Sequence, residues 1–361
     1  MIFVCVFTFC LLIVIILTFV MTRTVRWEYF SPQDTWRFQF YTRAPKKHTV
    51  LKNSLNTLLQ KFPFEFSHKD YTLLDFPRCT ELFNTPPSSL PFPHCYIKDL
   101  FYIWKALDSS YKKKKRYIVW YPHDRVEAFS FPVIVKTRPI HSHDQHGSIL
   151  FKLNTGRHFD MINSVYKKDP MMFDKKKPSV IWRGSPTGYG FGNNIPHRPT
   201  SRETLVKTFF SSSSPFLDIG LVLTKKQRKT DKYKKYIRYE KPQKTLKELL
   251  SYKYILSIEG NDVASNLKWA MSSNSVVIMP KPRICSWFLE SMLKPYIHYI
   301  PVHDDFHDLE HQVKWAEKNP QKCKDIIRNA HAHIEIFLEQ TNERVLLQKI
   351  LKYYLDNFEW S

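Results

Sequence analysis

The feature that most constrains this chain is the alternation of short β-branched and aromatic runs with helical patterns. The runs fall at 117–121, 132–136, 149–153, 179–182, 217–223, 254–258, 275–279 and 298–302. Val, Ile, Tyr and Phe suit a pleated, half-buried surface, so apolar runs of this length bounded by turn residues predict strands. Strands alternating with helices predict parallel sheets covered by helices, an α/β fold. The helical pattern is plainest near the end, where Cys323, Ile326, Ile327, Ala330, Ile334, Phe337 and Leu338 share one face at a spacing of about 3.6 residues. Val345, Leu346, Ile350, Leu351, Tyr354 and Leu355 continue as an amphipathic C-terminal helix, expected to pack on the first α/β domain rather than to bind a partner. A chain of 361 residues can build two cores. The layout suggests two Rossmann-like domains, with the ligand at the carboxyl ends of the strands. The expected boundaries are 23–175 for the first domain, 176–340 for the second and 341–361 for the terminal helix. Residues 30–93 are rich in Phe, Pro and Ser, and NTPPSSLPFP (84–93) reads as an extended loop.

Residues 1–22 contain no charge, no Gly and no Pro. At about 1.5 Å per residue they are long enough to cross a hydrocarbon core of roughly 30 Å, and a single transmembrane anchor is expected there. A cleaved signal peptide is the competing reading; the run lacks the basic leading flank and the small-x-small cleavage site of one. Arg23 and Arg26 follow the run, which by the positive-inside rule leaves the rest of the chain in the cytosol. Lys and Arg total 55 against 33 Asp and Glu, a net charge of +22. That excess attracts a polyanion or an anionic surface without saying which. The basic residues are scattered, at 112–115, 175–177 and 225–235, rather than gathered into an aromatic-interleaved stripe, so no nucleic-acid partner is expected. Beyond residue 22 only Cys79, Cys95, Cys285 and Cys323 remain, without the spacing of a disulfide framework. No Asn-x-Ser/Thr sequon occurs.

Two segments carry chemistry. In KKPSVIWRGSPTG (176–188) a strand ends at Trp182 and the chain turns through Gly184, so that backbone amides and the Ser185 hydroxyl can approach a phosphate closely. Arg183 and Arg202 offer guanidinium charge for an anion, or else an interdomain salt bridge. In YKYILSIEGNDVASNLKWAMSSNSVVIMPKP (252–282), a strand at 254–258, the turn Glu259-Gly260-Asn261-Asp262 and a helix at 263–271 follow in succession. A helix N-terminus presents unpaired N–H groups and a partial positive charge, which suits an anion. Asn261 and Asp262 are equally candidates for the helix N-cap. No Asp-x-Asp occurs, and no metal is expected. The three histidines of HSHDQH (141–146) read as a polar loop rather than a metal site.

These segments, together with FLDIGL (216–221) and WFLESMLKPYIHYIPVHDDFHDLEHQVKWA (287–316), resemble in content and order the nucleotide-sugar domain of glycosyltransferase family 90. That family contains protein O-glucosyltransferases and capsule- and lipopolysaccharide-modifying enzymes. The resemblance covers residues 115–340 and is dense from 176 onward; the form EGNDVASNLKW is closest to bacterial and viral-type members. It implies a GT-B-like fold, two Rossmann-like domains facing a cleft, here preceded by the anchor at 1–22. It also implies a UDP-sugar as donor substrate, no cofactor, and inverting transfer to a hydroxyl of a glycan, a lipid-linked glycan or a protein. By resemblance, Ser185 and Arg202 lie against the diphosphate, and Gly260, Ala264 and Ser265 line the nucleotide pocket, with Trp182, Arg183, Gly184 and Asn261 beside them. Many relatives carry an Arg two residues after that Ser, where this chain has Leu267 and then Lys268. Either Lys268 takes over the basic role, or it is a solvated surface residue. The general base is expected just past a strand of the first domain, at Asp124 in RYIVWYPHDR (116–125), with Asp144 in reserve; the structural alternative pairs Asp124 with Arg125. Eukaryotic relatives face the lumen, against the cytosolic reading of the charge flanks. The alternative function is a catalytically inactive relative that binds anionic glycan or membrane.

Overall fold

The computed structural model describes residues 32–42, 48–50, 72–75, 94–113, 117–121, 132–140, 147–188 and 201–360. The chain divides into two units, residues 1–42 and 43–361. In the first, helix α1 (Pro32–Tyr41) is the described element.

The second unit carries strands β1 (His48–Val50), β2 (Thr72–Asp75), β3 (Tyr117–Tyr121), β4 (Val133–Val135), β5 (Thr137–Pro139) and β6 (Ser148–Leu150), followed by β7 (Lys177–Gly184), β8 (Leu217–Leu221), β9 (Tyr252–Leu256), β10 (Val276–Met279), β11 (Ile284–Ser286), β12 (Ile300–Pro301) and β13 (Phe358–Trp360). The helices used below are α2 (His94–Lys105), α3 (Thr155–His158), α4 (Asp160–Val165), α5 (Ser201–Phe209), α6 (Lys225–Lys229), α7 (Leu267–Met271), α8 (Leu309–Lys318), α9 (Pro320–Glu335) and α10 (Gln340–Asn357).

Two main sheets result. The first has the order β2-β3-β4-β6, with β2 antiparallel to β3 and the other pairings parallel. The second is parallel throughout, in the order β12-β10-β9-β7-β8. In chain order its strands therefore run second, first, third, fourth, fifth. That is a doubly wound arrangement, and its winding reverses between β7 and β9. Strands buried on both faces read as unbroken apolar runs, and β10 (VVIM) is buried at every position.

Val180, Trp182, Ile219, Tyr254, Leu256 and Ile278 of this sheet form one core with Leu309, Val313 and Ala316 of α8 and Cys323 and Ile326 of α9. Pro320 opens α9 at a position where its missing N–H costs nothing, and Cys323, Ile326, Ile327, Ala330 and Ile334 are buried along one face as their spacing predicts. Helix α10 returns to the first sheet. Its Tyr354 hydroxyl donates to Pro132 O at 3.2 Å, and Lys352 reaches Asp108 at 2.7 Å. The antiparallel pair β5 and β11, with Thr137 opposite Ser286, joins the two sheets.

Four expectations are corrected or lie outside the described residues. The membrane location is corrected: among the described residues no helix is long and apolar enough to cross a membrane, and the anchor expected at residues 1–22 lies outside those residues. The expected helix at 263–271 begins only at Leu267. The Asn266 side chain donates to Leu256 O at 3.0 Å and accepts from Ser257 Oγ at 3.1 Å, which ties the preceding segment to the end of β9 instead of letting it wind. Asn261 and Asp262 are therefore not the N-cap of α7; that position is Asn266. The loop expected at 84–93 lies outside the described residues.

Candidate functional site

A doubly wound sheet binds ligands where its winding reverses, beyond the carboxyl ends of the two strands on either side. Here those ends are Gly184-Ser185 after β7 and Ser257–Glu259 after β9. Arg202, from the first turn of α5, joins them. Its Nη1 donates to Ser185 O at 3.1 Å and its Nη2 to Ile258 O at 2.9 Å. Its buried Nε has no hydrogen-bond partner among the described residues.

Burial lowers the Arg202 pKa to about 10, opposed by the Asp262 carboxylate and reinforced by the nearby Arg157. The group stays cationic at neutral pH. Asp262 itself is buried and pairs with Lys136, just past β4, so among the described residues no carboxylate forms an ion pair with Arg202. A half-buried guanidinium that spends two of its five N–H groups on carbonyl oxygens, with no carboxylate among the described residues paired to it, is a seat for an anion.

Gly260 leaves room for this guanidinium. A Cβ there would lie 2.8 Å from Arg202 Nη2 and 3.1 Å from its Cζ. Ser185 is oriented by a residue that the motif reading missed. Gln227 of α6 forms a capping box with Thr224, and its Nε2 donates to Ser185 Oγ at 2.9 Å. Having accepted that bond, the Ser185 hydroxyl keeps its own proton to donate.

The other motif residues are placed differently. Trp182 is buried in the core, and Gly184 gives room for its ring, since a Cβ at 184 would come within 2.5 Å of it. The Arg183 guanidinium lies along the sheet. It donates to Asp218 Oδ1 at 2.7 Å, to Asp218 O and Trp182 O at 2.9 Å each, and to Pro242 O at 3.1 Å. Although burial pushes the Asp218 carboxyl up, hydrogen bonds from Arg183 and Tyr252 hold it below the ordinary carboxylate value. The ion pair of Arg183 is thus formed within the second sheet rather than between domains.

The reading of Lys268 as a solvated surface residue is corrected. It is 1% exposed, pairs with Glu290 at 3.0 Å, and lies 5.0 Å from the ring centroid of Phe288 and 5.7 Å from that of Phe159. Ala264 is buried and, with Ile258, Met279 and Pro280, lines a small pocket at the ends of β9 and β10; Ser265 is half-buried and Asn261 exposed.

Glu259 lines the same pocket and was also missed as a site residue. Its Oε1 accepts the N–H groups of Arg283 and Ile284, both at 3.0 Å, fastening the segment after β10 to the end of β9. Burial pushes its carboxyl up to about 7, against those two donors and Arg283, with the Glu290 carboxylate adding to the rise. Its place directly before Gly260 was the available signal; for Gln227 it was the Thr-x-x-Gln spacing of a capping box. Asp124, Asp144 and the histidines of 141–146 lie outside the described residues.

Known sequences resemble this chain over much of its length. The chain is 30% identical over 276 residues to O-glucosyltransferase LpsA of Dichelobacter nodosus, covering 76% of this chain and 78% of that one. It is 29% identical over 210 residues to uncharacterized protein 179R of Invertebrate iridescent virus 6, covering 52% of this chain but only 18% of the viral one. It is 25% identical over 109 residues to protein O-glucosyltransferase 3 of Mus musculus, covering 30% of this chain and 22% of that one. Residues 149–357 match the sequence pattern of glycosyl transferase family 90, and the chain belongs to that family.

Proposed function

We propose that the chain transfers a sugar from a UDP-sugar to a hydroxyl of a glycan, a lipid-linked glycan or a protein, with inversion at the anomeric carbon, in a GT-B-like cleft. The observation that carries this reading is the Arg202 guanidinium, which bridges the ends of β7 and β9 with its Nε unpartnered. In the proposed reaction the acceptor oxygen attacks the anomeric carbon as the bond to UDP breaks, and the bonding pair leaves with the diphosphate. Arg202 Nε and the Ser185 hydroxyl donate to the phosphate oxygens as their charge grows, a stabilisation that is stronger in the transition state than in the bound donor. The acceptor proton passes to a carboxylate past a first-sheet strand, Asp124, with Asp144 in reserve. Gly260, Ala264 and Ser265 are proposed to border the nucleotide, with Glu259 closing the small pocket. The facing of the two halves is supported by the β5–β11 pairing and by the Lys136–Asp262 ion pair, which brings the end of β4 against the loop after β9.

The test is UDP release by the full chain offered UDP-glucose, UDP-xylose and UDP-galactose, with and without EDTA, beside Asp124→Asn. Glucose leads the panel because two of the relatives are named O-glucosyltransferases. Release with one sugar, unchanged by EDTA and lost in the variant, is the expected result. UDP binding with no release from any donor would point to the inactive binding relative, and full activity in Asp124→Asn would remove that residue as the base.

A further inference from the structure

A second cavity, of about 420 Å³, lies between α2, the α3–α4 segment and the start of α10. Its volume falls in the usual range for a bound small molecule, roughly 300–1,000 Å³. The floor is apolar, with Ile103, Phe159 and Leu347 all buried. Its rim is exposed: Tyr102 is 57% accessible, and Asp160, Asn163 and Arg344 stand around it. One short helix, α3, carries residues both on the cavity and in the electrostatic surroundings of Arg202. Thr155 of α3 lines the cavity, while Arg157, two residues on, is close enough to Arg202 to lower its pKa.

The charge of this cavity runs against that of the chain. In a protein of net charge +22, its lining holds three carboxyls, Asp99, Asp160 and Glu343, against two cations, Lys152 and Arg344. Lys152 is paired with Glu343 at 2.9 Å. Arg344 lies 5.1 Å from the centre of the Tyr102 ring. Asp99 accepts the Thr155 N–H at 2.9 Å and its hydroxyl at 2.6 Å, and burial pushes its carboxyl up. With three carboxyls against two cations, the lining has no excess of positive charge to hold an anionic ligand.

A neutral polyhydroxylated one does. The exposed, amphipathic ring of Tyr102 on the rim suits the C–H face of a pyranose. The side chains of Asp160 and Asn163 supply the acceptors and donors that neighbouring hydroxyls need. We propose that this cavity binds neutral saccharide units of the acceptor, at a distance from the hydroxyl that receives the sugar. The acceptor role rests on the transferase reading; the saccharide site stands independently of it.

The experiment is saturation-transfer NMR of the full chain with neutral tetrasaccharides of glucose, of galactose and of N-acetylglucosamine. It is run on the wild type, Tyr102→Ala and Asn163→Ala, with a UDP titration of each. Both substituted side chains are exposed, and an unchanged UDP affinity shows that the fold is intact. The expected result is binding of at least one tetrasaccharide, weakened about tenfold in Tyr102→Ala by loss of the aromatic contact, with UDP affinity unchanged. No tetrasaccharide bound, or binding indifferent to both substitutions, would overturn the proposal. So would Tyr102-dependent binding of dextran sulfate or of an unglycosylated peptide in place of the sugars. If UDP fails to bind while Tyr102-dependent saccharide binding persists, the transferase reading falls and the saccharide site remains.

Discussion

Gly260→Ala sets a methyl group against the Arg202 guanidinium, and its consequence can be worked from distances. The new Cβ would lie 2.8 Å from Nη2, 3.1 Å from Cζ and 3.3 Å from Nη1. Restoring ordinary contact displaces the guanidinium by about 0.6 Å, taking 3.4 Å as the near edge of such contact. A shift along the bond from Nη2 to Ile258 O would lengthen it from 2.9 Å to about 3.5 Å, beyond the usual range of an N–H···O hydrogen bond. One hydrogen bond to a charged group contributes about 1.5–3 kcal/mol, so UDP affinity should fall roughly 10- to 150-fold if Arg202 delivers the charge that holds the diphosphate. Titration calorimetry of UDP is the assay, run as a double-mutant cycle with Arg202→Ala. In the Arg202→Ala background the same Gly260→Ala change should cost less than about threefold, because the displaced partner is already gone. An equal loss in both backgrounds, or no loss in either, would refute the argument that Gly260 acts through Arg202.

Gln227→Ala frees the Ser185 hydroxyl to rotate and removes the α6 capping box; turnover is expected to fall about tenfold, with UDP affinity less affected, and single-turnover kinetics separates the two. Lys268→Met leaves Glu290 buried without its cation, at a cost of about 3–5 kcal/mol in a urea unfolding series. Adding Glu290→Gln should recover part of that loss; a Lys268→Met protein as stable as the wild type would show that the pair is not buried. For Glu259, whose carboxyl is pushed up to about 7 from an ordinary 4.5, the folded chain binds more protons than the unfolded chain between those two values. Stability therefore falls as pH rises through that window, and the cost of the buried charge is fully present above it. Glu259→Gln should flatten the urea midpoint between pH 5 and pH 8 relative to the wild type, and parallel slopes would contradict the assignment.

The strands of the second sheet were legible because burial on both faces writes an unbroken apolar run, as in Val276–Met279. Their order was not, since no local pattern says that β8 lies outside β7 while β9, β10 and β12 extend the other way. Ser185, Arg202 and Gly260 could be singled out from motif and resemblance, and the structure brings these three together. What fastens them could not be read. Arg202 is held by backbone carbonyls 17 and 56 positions away, and a carbonyl oxygen carries no residue signature. Lys268 depends on Glu290, 22 positions on, so its sequence surroundings could offer only a binding cation or a solvated one. The late start of α7 has the same kind of cause, a side-chain bond from Asn266 back to the end of β9.

The central claim is that the diphosphate of a UDP-sugar sits where Arg202 joins the ends of β7 and β9. A crystal structure of the full chain with UDP tests it most directly. The account predicts phosphate oxygens within about 3.2 Å of both Arg202 Nε and Ser185 Oγ, the normal reach of a hydrogen bond, with Gly260 alongside. A diphosphate bound elsewhere, with Arg202 Nε still unpartnered, would contradict it.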